Sequence, residues 1–217
     1  MTTWNLPDTK ICTAAWQLVV DVSPPVLTNH CIRSYLFARE LAAANGLRAG
    51  LDYDDELVYL SCVLHDLGLT DRGQGDQRFE VDGADAAKRF LDEHGATADR
   101  TSTVWQAIAL HTSVGLADRF GTEHAVVHHG ISLDINGMDA ARLSAGFADR
   151  VHAAWPRHDL GYAIFDMVAE GTRSNPQKAP PFTFPAHAHE AINGSAVTFW
   201  DVLAASPWGD QRAATAR

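Results

Sequence analysis

The chain has 217 residues, of which 46% are hydrophobic, and its formal net charge is −10. This length suffices for one domain with a sizeable core, and the acidic balance disfavours nucleic acid or an anionic membrane surface as a partner. Cys12, Cys31 and Cys62 are widely spaced in apolar helical patterns, so we expect reduced core thiols. The sequence opens without a signal-peptide pattern and has no apolar run of about 20 residues, so we expect a cytoplasmic protein without a membrane span.

Abundant Ala and Leu and scarce strand-like alternation predict an all-α, compact helical bundle. The first predicted helix covers residues 9–22 and ends at Pro24-Pro25. The second covers residues 26–44, with His30 on its core-facing stripe. We expect a single domain over residues 1–205 and a frayed tail over residues 206–217, and a homo-oligomer is left open. Further helices are predicted over residues 83–94, 99–110, 122–129, 139–151, 160–172 and 187–203.

The most informative stretch is residues 58–68. It follows an acidic segment, residues 52–55, that suits the first turn of a helix. Its apolar residues recur at helical spacing, and Gly68 is a natural end for the helix. The last turn carries His65 next to Asp66. A buried imidazole and a buried carboxylate need partners, and a divalent metal would serve both. Because neighbouring helical side chains diverge by about 100°, other elements must supply further ligands.

His30 is one candidate for a further ligand, and a later aspartate is another. Asp134 lies in a stretch, residues 130–137, that we predict to be an irregular bend. Asp139 competes with it, but its place just before a predicted helix favours an N-cap. Two His and two Asp ligands leave a divalent ion neutral with open positions, which suits zinc above all, and also ferrous iron or manganese.

A second His-Asp pair, His158-Asp159, repeats the tetrapeptide at residues 65–68. Pro156 lies two residues upstream, so this pair cannot end a helix as the first one does. We therefore interpret Asp159 as the N-cap of the next helix and not as a metal ligand.

Five segments resemble, in order, those of the HD superfamily of metal-dependent hydrolases, and within it the cyanamide hydratase-like branch. The resemblance covers roughly residues 5–200, as expected of one domain. It implies a metal at the centre of the bundle, held by His30, His65, Asp66 and Asp134. The segments are Asn29-His30-Cys31-Ile32-Arg33-Ser34-Tyr35, Leu64-His65-Asp66-Leu67-Gly68-Leu69, Arg78-Phe79-Glu80-Val81-Asp82-Gly83-Ala84, Leu110-His111-Thr112-Ser113 and Gly130-Ile131-Ser132-Leu133-Asp134.

His111 lies on an apolar stripe, where a core role and a functional role are equally compatible with its spacing. The resemblance favours a place in the site, as a hydrogen-bonding group or general acid beyond the metal ligands. Thr112 and Ser113 are then possible hydrogen-bond donors to substrate, or merely caps. Of His128 and His129, at most one faces the site because adjacent helical residues point apart.

Two charged residues are candidate substrate-binding groups. Glu80, in a predicted polar loop over residues 70–82, could orient water or substrate, or be solvated. Arg33, one turn from His30, could bind an anion or pair with a neighbouring carboxylate.

The resemblance implies a small-molecule substrate and hydration of a nitrile-type carbon, as in the conversion of cyanamide to urea. A bound metal would lower the pKa of water from 15.7 toward about 7, with Asp66 as a possible proton acceptor and His111 as a possible proton donor. Hydrolysis of a phosphate ester is the alternative and would need basic groups near the metal. A di-iron oxygenase, recruiting His111 and His128 or His129, and a non-catalytic scaffold are further alternatives. The basic candidates for phosphate binding are Arg33, Arg72, Arg78 and Lys88.

Overall fold

The computed structural model describes residues 4–194 and 197–209. The described residues form ten α-helices and no strand, apart from an isolated bridge between Ala49 and Tyr53, so the all-α prediction is confirmed. Parts of the expected domain and tail, at residues 1–3, 195–196 and 210–217, lie outside the described residues. The helices are α1 Lys10–Val22, α2 Pro25–Ala44, α3 Asp55–Leu64, α4 Phe79–Glu93, α5 Ala98–Leu110, α6 Thr122–Asn136, α7 Phe147–Ala154, α8 Leu160–Arg173, α9 Phe184–Asn193 and α10 Phe199–Ala204.

None of these helices, within the described parts of the chain, has both the length and the apolar character that a bilayer crossing requires.

Helices α2 and α6 cross at the centre of the molecule. Residues 30–38 of α2 are all buried, and Gly130 of α6 lies directly against them. A side-chain carbon at Gly130 would be 2.5 Å from the Cβ of Ala38, so only glycine permits this approach. The predicted bend over residues 130–137 is therefore wrong. Gly130 serves helix packing, and α6 continues to Asn136 before Gly137 ends it with a left-handed φ of 76°.

The His65-Asp66 pair lies in a tight turn that follows α3. The helix begins as predicted at acidic residues, with the Asp54 carboxylate accepting from the backbone nitrogen of Leu57 at 3.1 Å. The α-helix ends at Leu64, however, and residues 65–69 form a 3₁₀ turn. Gly68 there touches the backbone of α4, where an added Cβ would lie 2.8 Å from the nitrogen of Gly83. This glycine contact fixes the position of the turn against α4.

Helix α4 begins at Phe79, earlier than the predicted start at residue 83, so Phe79 and Glu80 belong to its first turn and not to a loop. The connection before α4 is tied to the C-terminal half of the chain by a buried ion pair. Lys178 Nζ donates to the Asp82 carboxylate at 2.7 Å and to the Gly75 carbonyl at 2.9 Å.

Helices α8 and α9 pack over one end of α2 and α4. A second apolar cluster, separate from the main core, forms there. Asp159 occupies the N-cap position of α8, as predicted, although its side chain makes no capping hydrogen bond. The buried members of this cluster are Leu27, Phe79, Leu160, Ile164, Val168 and Ala188.

Candidate metal centre

Three buried side chains converge where α2 meets the turn after α3. The two imidazole Nε2 atoms of His30 and His65 lie 3.1 Å apart. Asp66 Oδ2 lies 3.3 Å from His65 Nε2 and 3.7 Å from His30 Nε2. Each residue is at most 3% exposed. Within the part of the chain that the structure describes, this group could hold a metal ion.

The geometry of this group fits a divalent cation. Ligands about 2.1 Å from a tetrahedral zinc ion lie roughly 3.4 Å from one another, close to the three separations in this group. Asp66 Oδ2 is buried without a hydrogen-bond partner among the described residues, although burying an unpaired carboxylate oxygen is costly. A cation between the three atoms would satisfy it.

Hydrogen bonds at Nδ1 set the tautomers of both histidines. Nδ1 of His65 donates to the carbonyl of Cys62 at 2.8 Å, and Nδ1 of His30 donates to Asp134 Oδ2 at 2.7 Å. Each Nε2 lone pair is consequently left to face the centre of the group, which is how ligand histidines are commonly held.

The ionisation of the group reflects the competition between burial and charge. Burial lowers the pKa of His30, and it would do the same at His65, but the adjacent Asp66 carboxylate raises the pKa of His65 well above its usual value. Burial raises the pKa of Asp66, yet the charge of His65 outweighs it and the net direction is downward. Because a cation and a proton compete for the same lone pair, we expect metal binding to release the proton from His65.

Asp134 lies outside this group, so the structure brings together three of the four expected ligands. Its Oδ2 is occupied by His30 Nδ1 at 2.7 Å and Arg33 Nη2 at 2.8 Å, and its Oδ1 by Arg33 Nε at 2.8 Å. Burial raises the pKa of Asp134, but the hydrogen bond from His30 and the Arg33 charge lower it to about 2. Asp134 therefore holds the imidazole ligand from behind.

Arg33 also departs from its expected role in substrate binding. Its guanidinium is fully buried in a two-pronged pair with Asp134, and Nη1 donates to the carbonyls of Trp155 and Pro156 at 3.1 and 2.9 Å. Each nitrogen of the guanidinium is thus hydrogen-bonded inside the protein. Of the two alternatives for Arg33, binding an anion or pairing with a neighbouring carboxylate, the structure shows the second.

A cavity of about 290 Å³ opens onto the three candidate ligands. Its floor is polar and buried, whereas its outer part is apolar and reaches Val114, which is 80% exposed. The lining residues are His30, His65, Asp66, Phe79, His111, Thr112, Val114, His128, Ile131, Ser132, Ile135, Asn136, Gly161, Ile164, Phe165 and Phe184.

His111 lines the cavity floor next to the ligands. Its ring centroid lies 5.0 Å from that of His65 and 5.5 Å from that of Phe79. Nδ1 donates to the carbonyl of Ile108 at 2.6 Å, so Nε2 carries the lone pair. Burial and the charge of His65 together lower the pKa of His111 to about 4, although Asp66 and Glu80 oppose the shift. The ring is neutral at pH 7 and is therefore a proton acceptor before it is a donor.

Of the two adjacent histidines on α6, His128 is the one that reaches the cavity. It is buried, and its Nδ1 donates to the backbone carbonyl of His111 at 2.8 Å. His129 is only partly buried and does not line the cavity. The helical spacing of His128, Ile131 and Ile135 is a signal that identifies this face of α6. Phe165 and Phe184 gave no such signal, because their place depends on how α8 and α9 pack.

Of the three remaining candidates for substrate binding, Glu80, Thr112 and Ser113, only Thr112 lines the cavity. Glu80 is fully buried beneath it, accepting from Thr112 Oγ1 at 2.6 Å and from Arg78 Nε at 3.0 Å. Thr112 lines the cavity, whereas Glu80 and Ser113 do not. Glu80 accordingly orients Thr112, and direct contact of Glu80 or Ser113 with substrate is not supported.

His158 and Asp159 lie outside the cavity lining. His158 Nε2 is instead 3.4 Å from the exposed Asn29 Nδ2. The structure thus separates the second His-Asp pair from the metal group, in agreement with the interpretation from Pro156.

An all-helical bundle with a buried His, His and Asp group at the floor of a cavity has the architecture of a helical metal-binding domain. Residues 27–154, more than half of the chain, match the HD domain family, and the chain belongs to that family. The resemblance seen in the motifs is confirmed.

Among curated proteins, the chain is similar to the cyanamide hydratases DDI2 and DDI3 of Saccharomyces cerevisiae. It is 24% identical to each over 140 residues, which is 63% of this chain. The match spans 61% of the length of these relatives. At this distance the likeness supports the branch of the family and leaves the reaction to be argued from the site.

Proposed function

We propose that this protein is a zinc-dependent hydratase that adds water to the carbon of a neutral nitrile-type substrate, as cyanamide hydratase does with cyanamide. The HD-domain membership, the His30, His65 and Asp66 group and the likeness to two cyanamide hydratases support a metal-dependent reaction with water. The choice of a neutral substrate depends on the charge of the cavity.

The observation that carries the proposal is the lack of cationic groups at the cavity. Among the described residues that line it, none is Arg or Lys. Arg33 is committed to Asp134, and Arg78 donates to Glu80 and, at 3.0 Å, to Thr112 Oγ1. A phosphate ester would find no cationic side chain in such a site to pair with its anionic oxygens beyond the ion itself, and charge left unpaired in an apolar cavity is costly.

The chain's own residues can carry the proton that hydration moves. A divalent ion held by His30, His65 and Asp66 supplies Lewis acidity to the site. His111 Nε2 accepts a proton from water as the water oxygen forms its bond to the nitrile carbon. The nitrile π electrons move to nitrogen, and His111 returns the proton to that nitrogen. The resulting imidic acid tautomerises to an amide, or to urea when the substrate is cyanamide.

Hydrogen bonds also fix two side chains near the groups that take part in this proton transfer. Thr112 lines the cavity beside His111; because its hydroxyl donates to Glu80 and accepts from Arg78 Nη2, its oxygen can only accept a further hydrogen bond from a substrate. Asp134 keeps the Nδ1 proton of His30 in place, so that ligand cannot change its tautomer during the reaction.

A two-metal oxygenase is a second candidate, favoured by one observation. His111 and His128 both line the cavity with Nδ1 hydrogen-bonded to a backbone carbonyl, as ligand histidines commonly are. This candidate requires two ions per chain, whereas the hydratase requires one.

Metal analysis and a substrate comparison test the proposal together. We expect one zinc ion per chain, turnover of cyanamide, and far slower turnover of a panel of phosphate esters. His65→Ala should lose both metal and turnover. His158→Ala, the same change in the second tetrapeptide, is the matched control and should keep both. Two irons per chain, or preferential hydrolysis of phosphate esters, would contradict the proposal.

A further inference from the structure

The cavity above the metal group has two chemically different parts. The floor consists of His30, His65, Asp66, His111 and His128, each at most 5% exposed. Beside three polar residues, Thr112, Ser132 and Asn136, the wall is formed by aromatic and branched aliphatic side chains. These wall residues are Phe79, Ile131, Ile135, Ile164, Phe165 and Phe184.

The cavity as a whole is large compared with cyanamide. At roughly 30 Å³ for each water in the liquid, the volume of about 290 Å³ corresponds to about ten water molecules. Cyanamide has only three non-hydrogen atoms and would leave most of the apolar wall in contact with water. Apolar surface is stabilised when a ligand covers it, and binding pockets of this size usually hold larger ligands.

We infer that the substrate class is an organic nitrile that carries a branched or cyclic hydrocarbon group, with the nitrile at the histidine floor and the hydrocarbon against the aromatic and aliphatic wall. The reaction adds one water to R–C≡N and gives the amide R–C(=O)NH₂. This inference rests on the proposed hydratase function and specifies its substrate.

A series of alkyl nitriles tests the inference on the metal-loaded protein. Acetonitrile, propionitrile, isobutyronitrile and cyclohexanecarbonitrile have similar nitrile groups and differ mainly in hydrocarbon size. Because burying one methylene is worth about 0.8 kcal/mol, kcat/KM should rise roughly fourfold for each added methylene that the wall covers. Cyanamide, which buries almost no hydrocarbon, should be among the poorer substrates.

Gly161 offers a variant that fills the mouth without disturbing the metal group. It lies in the first turn of α8 and lines the cavity, and a Cβ added there meets nothing within 4 Å. Gly161→Leu should lower the preference for cyclohexanecarbonitrile over acetonitrile by roughly tenfold to two-hundredfold, the range for steric discrimination in apolar pockets.

Gly171 provides the matched control on the same helix. A Cβ at Gly171 also meets nothing within 4 Å, but this residue lines a different cavity. Both glycines are exposed, and leucine favours the helix at either position. Gly171→Leu should therefore leave the ratio of kcat/KM values unchanged.

Equilibrium binding separates a failure of this inference from a failure of the proposed function. Cyanamide turnover together with kcat/KM values that fall as the alkyl group grows would overturn the inference and leave the hydratase proposal standing. If no nitrile is hydrated, the hydratase proposal fails, and binding of the amides decides the rest. Tighter binding of cyclohexanecarboxamide than of acetamide to the metal-loaded protein, weakened by Gly161→Leu but not by Gly171→Leu, would still support the apolar subsite. Equal binding of the two amides would overturn it.

Discussion

Replacing Asp134 by Asn tests the difference between a metal ligand and a residue that holds a ligand. The Asp134 carboxylate accepts from His30, from Arg33 twice and from Arg157 at 3.0 Å. Asparagine is nearly the same size, but it has one acceptor oxygen and no charge. Asp134→Asn therefore leaves the fully buried Arg33 guanidinium without its counter-charge.

The expected magnitudes follow from this burial. Removing one partner of a buried ion pair costs about 3–5 kcal/mol of unfolding free energy, a large share of the roughly 5–15 kcal/mol of a typical domain. Losing the acceptor behind a ligand histidine typically weakens metal affinity about 10–100-fold, or roughly 1.4–2.7 kcal/mol. We therefore expect weakened metal binding, and not its abolition, in the variant.

Two measurements separate these effects. Urea unfolding in the presence of a chelator gives the free energy of the metal-free protein, and competition with a chromophoric chelator gives the metal affinity. Asp92→Asn is the control, because Asp92 pairs with Lys88 at the surface, where both side chains are about half exposed. That pair should contribute less than about 1 kcal/mol, and its loss should not change metal affinity.

The reasoning would be refuted by the opposite combination of results. If Asp134→Asn abolished metal binding as completely as His65→Ala, while the metal-free protein unfolded like the Asp92→Asn control, Asp134 would be a direct ligand. The hydrogen bonds to His30 and Arg33 would then not describe its role.

Three further predictions concern the site and the ion pair that ties α4 to the C-terminal half of the chain. His65→Ala should remove metal and turnover together, as measured by metal analysis and a rate assay on the same sample, whereas His158→Ala should retain both. His111→Gln should keep the metal but lower kcat by roughly a hundredfold to ten-thousandfold, the usual contribution of a positioned proton-transfer group. An unchanged rate per metal-loaded molecule would end that assignment. Lys178→Met should lower the unfolding free energy by about 3 kcal/mol or more, because a buried carboxylate loses its partner. The exposed Lys88→Met should change it by less than about 1 kcal/mol, and equal effects of the two changes would show that the buried pair is unimportant.

The all-α architecture and the three clustered candidate ligands could be predicted from the sequence because their signals are local. Helical periodicity placed His30 on the core side of α2, and an apolar helix ending in His65 and Asp66 indicated a buried polar pair. The separation of the second His-Asp pair from the site also followed from a local feature, Pro156.

The remaining features depend on tertiary contacts that a single sequence does not contain. Gly130 resembled a helix breaker, but it is the contact point at which α6 packs on α2. The bend predicted there made Asp134 look like an open ligand. In the continuous helix, Asp134 instead lies between His30 and Arg33. Likewise, Glu80 was expected in a polar loop over residues 70–82 and is buried at the start of α4.

The contacts of Arg33 have a consequence for how substrate preference can be changed. The three candidate metal ligands all lie within residues 27–154, the segment matched by the family. Part of the apolar wall, including Gly161, Ile164, Phe165 and Phe184, comes from the chain that follows.

Arg33 fastens the start of this later segment by donating to the carbonyls of Trp155 and Pro156, and it uses backbone atoms that every sequence provides. The anchor therefore does not depend on the side chains beyond it. Residues 158–194 could be exchanged between members of the family, altering which molecules enter the cavity, provided that Lys178, the buried partner of Asp82, is kept.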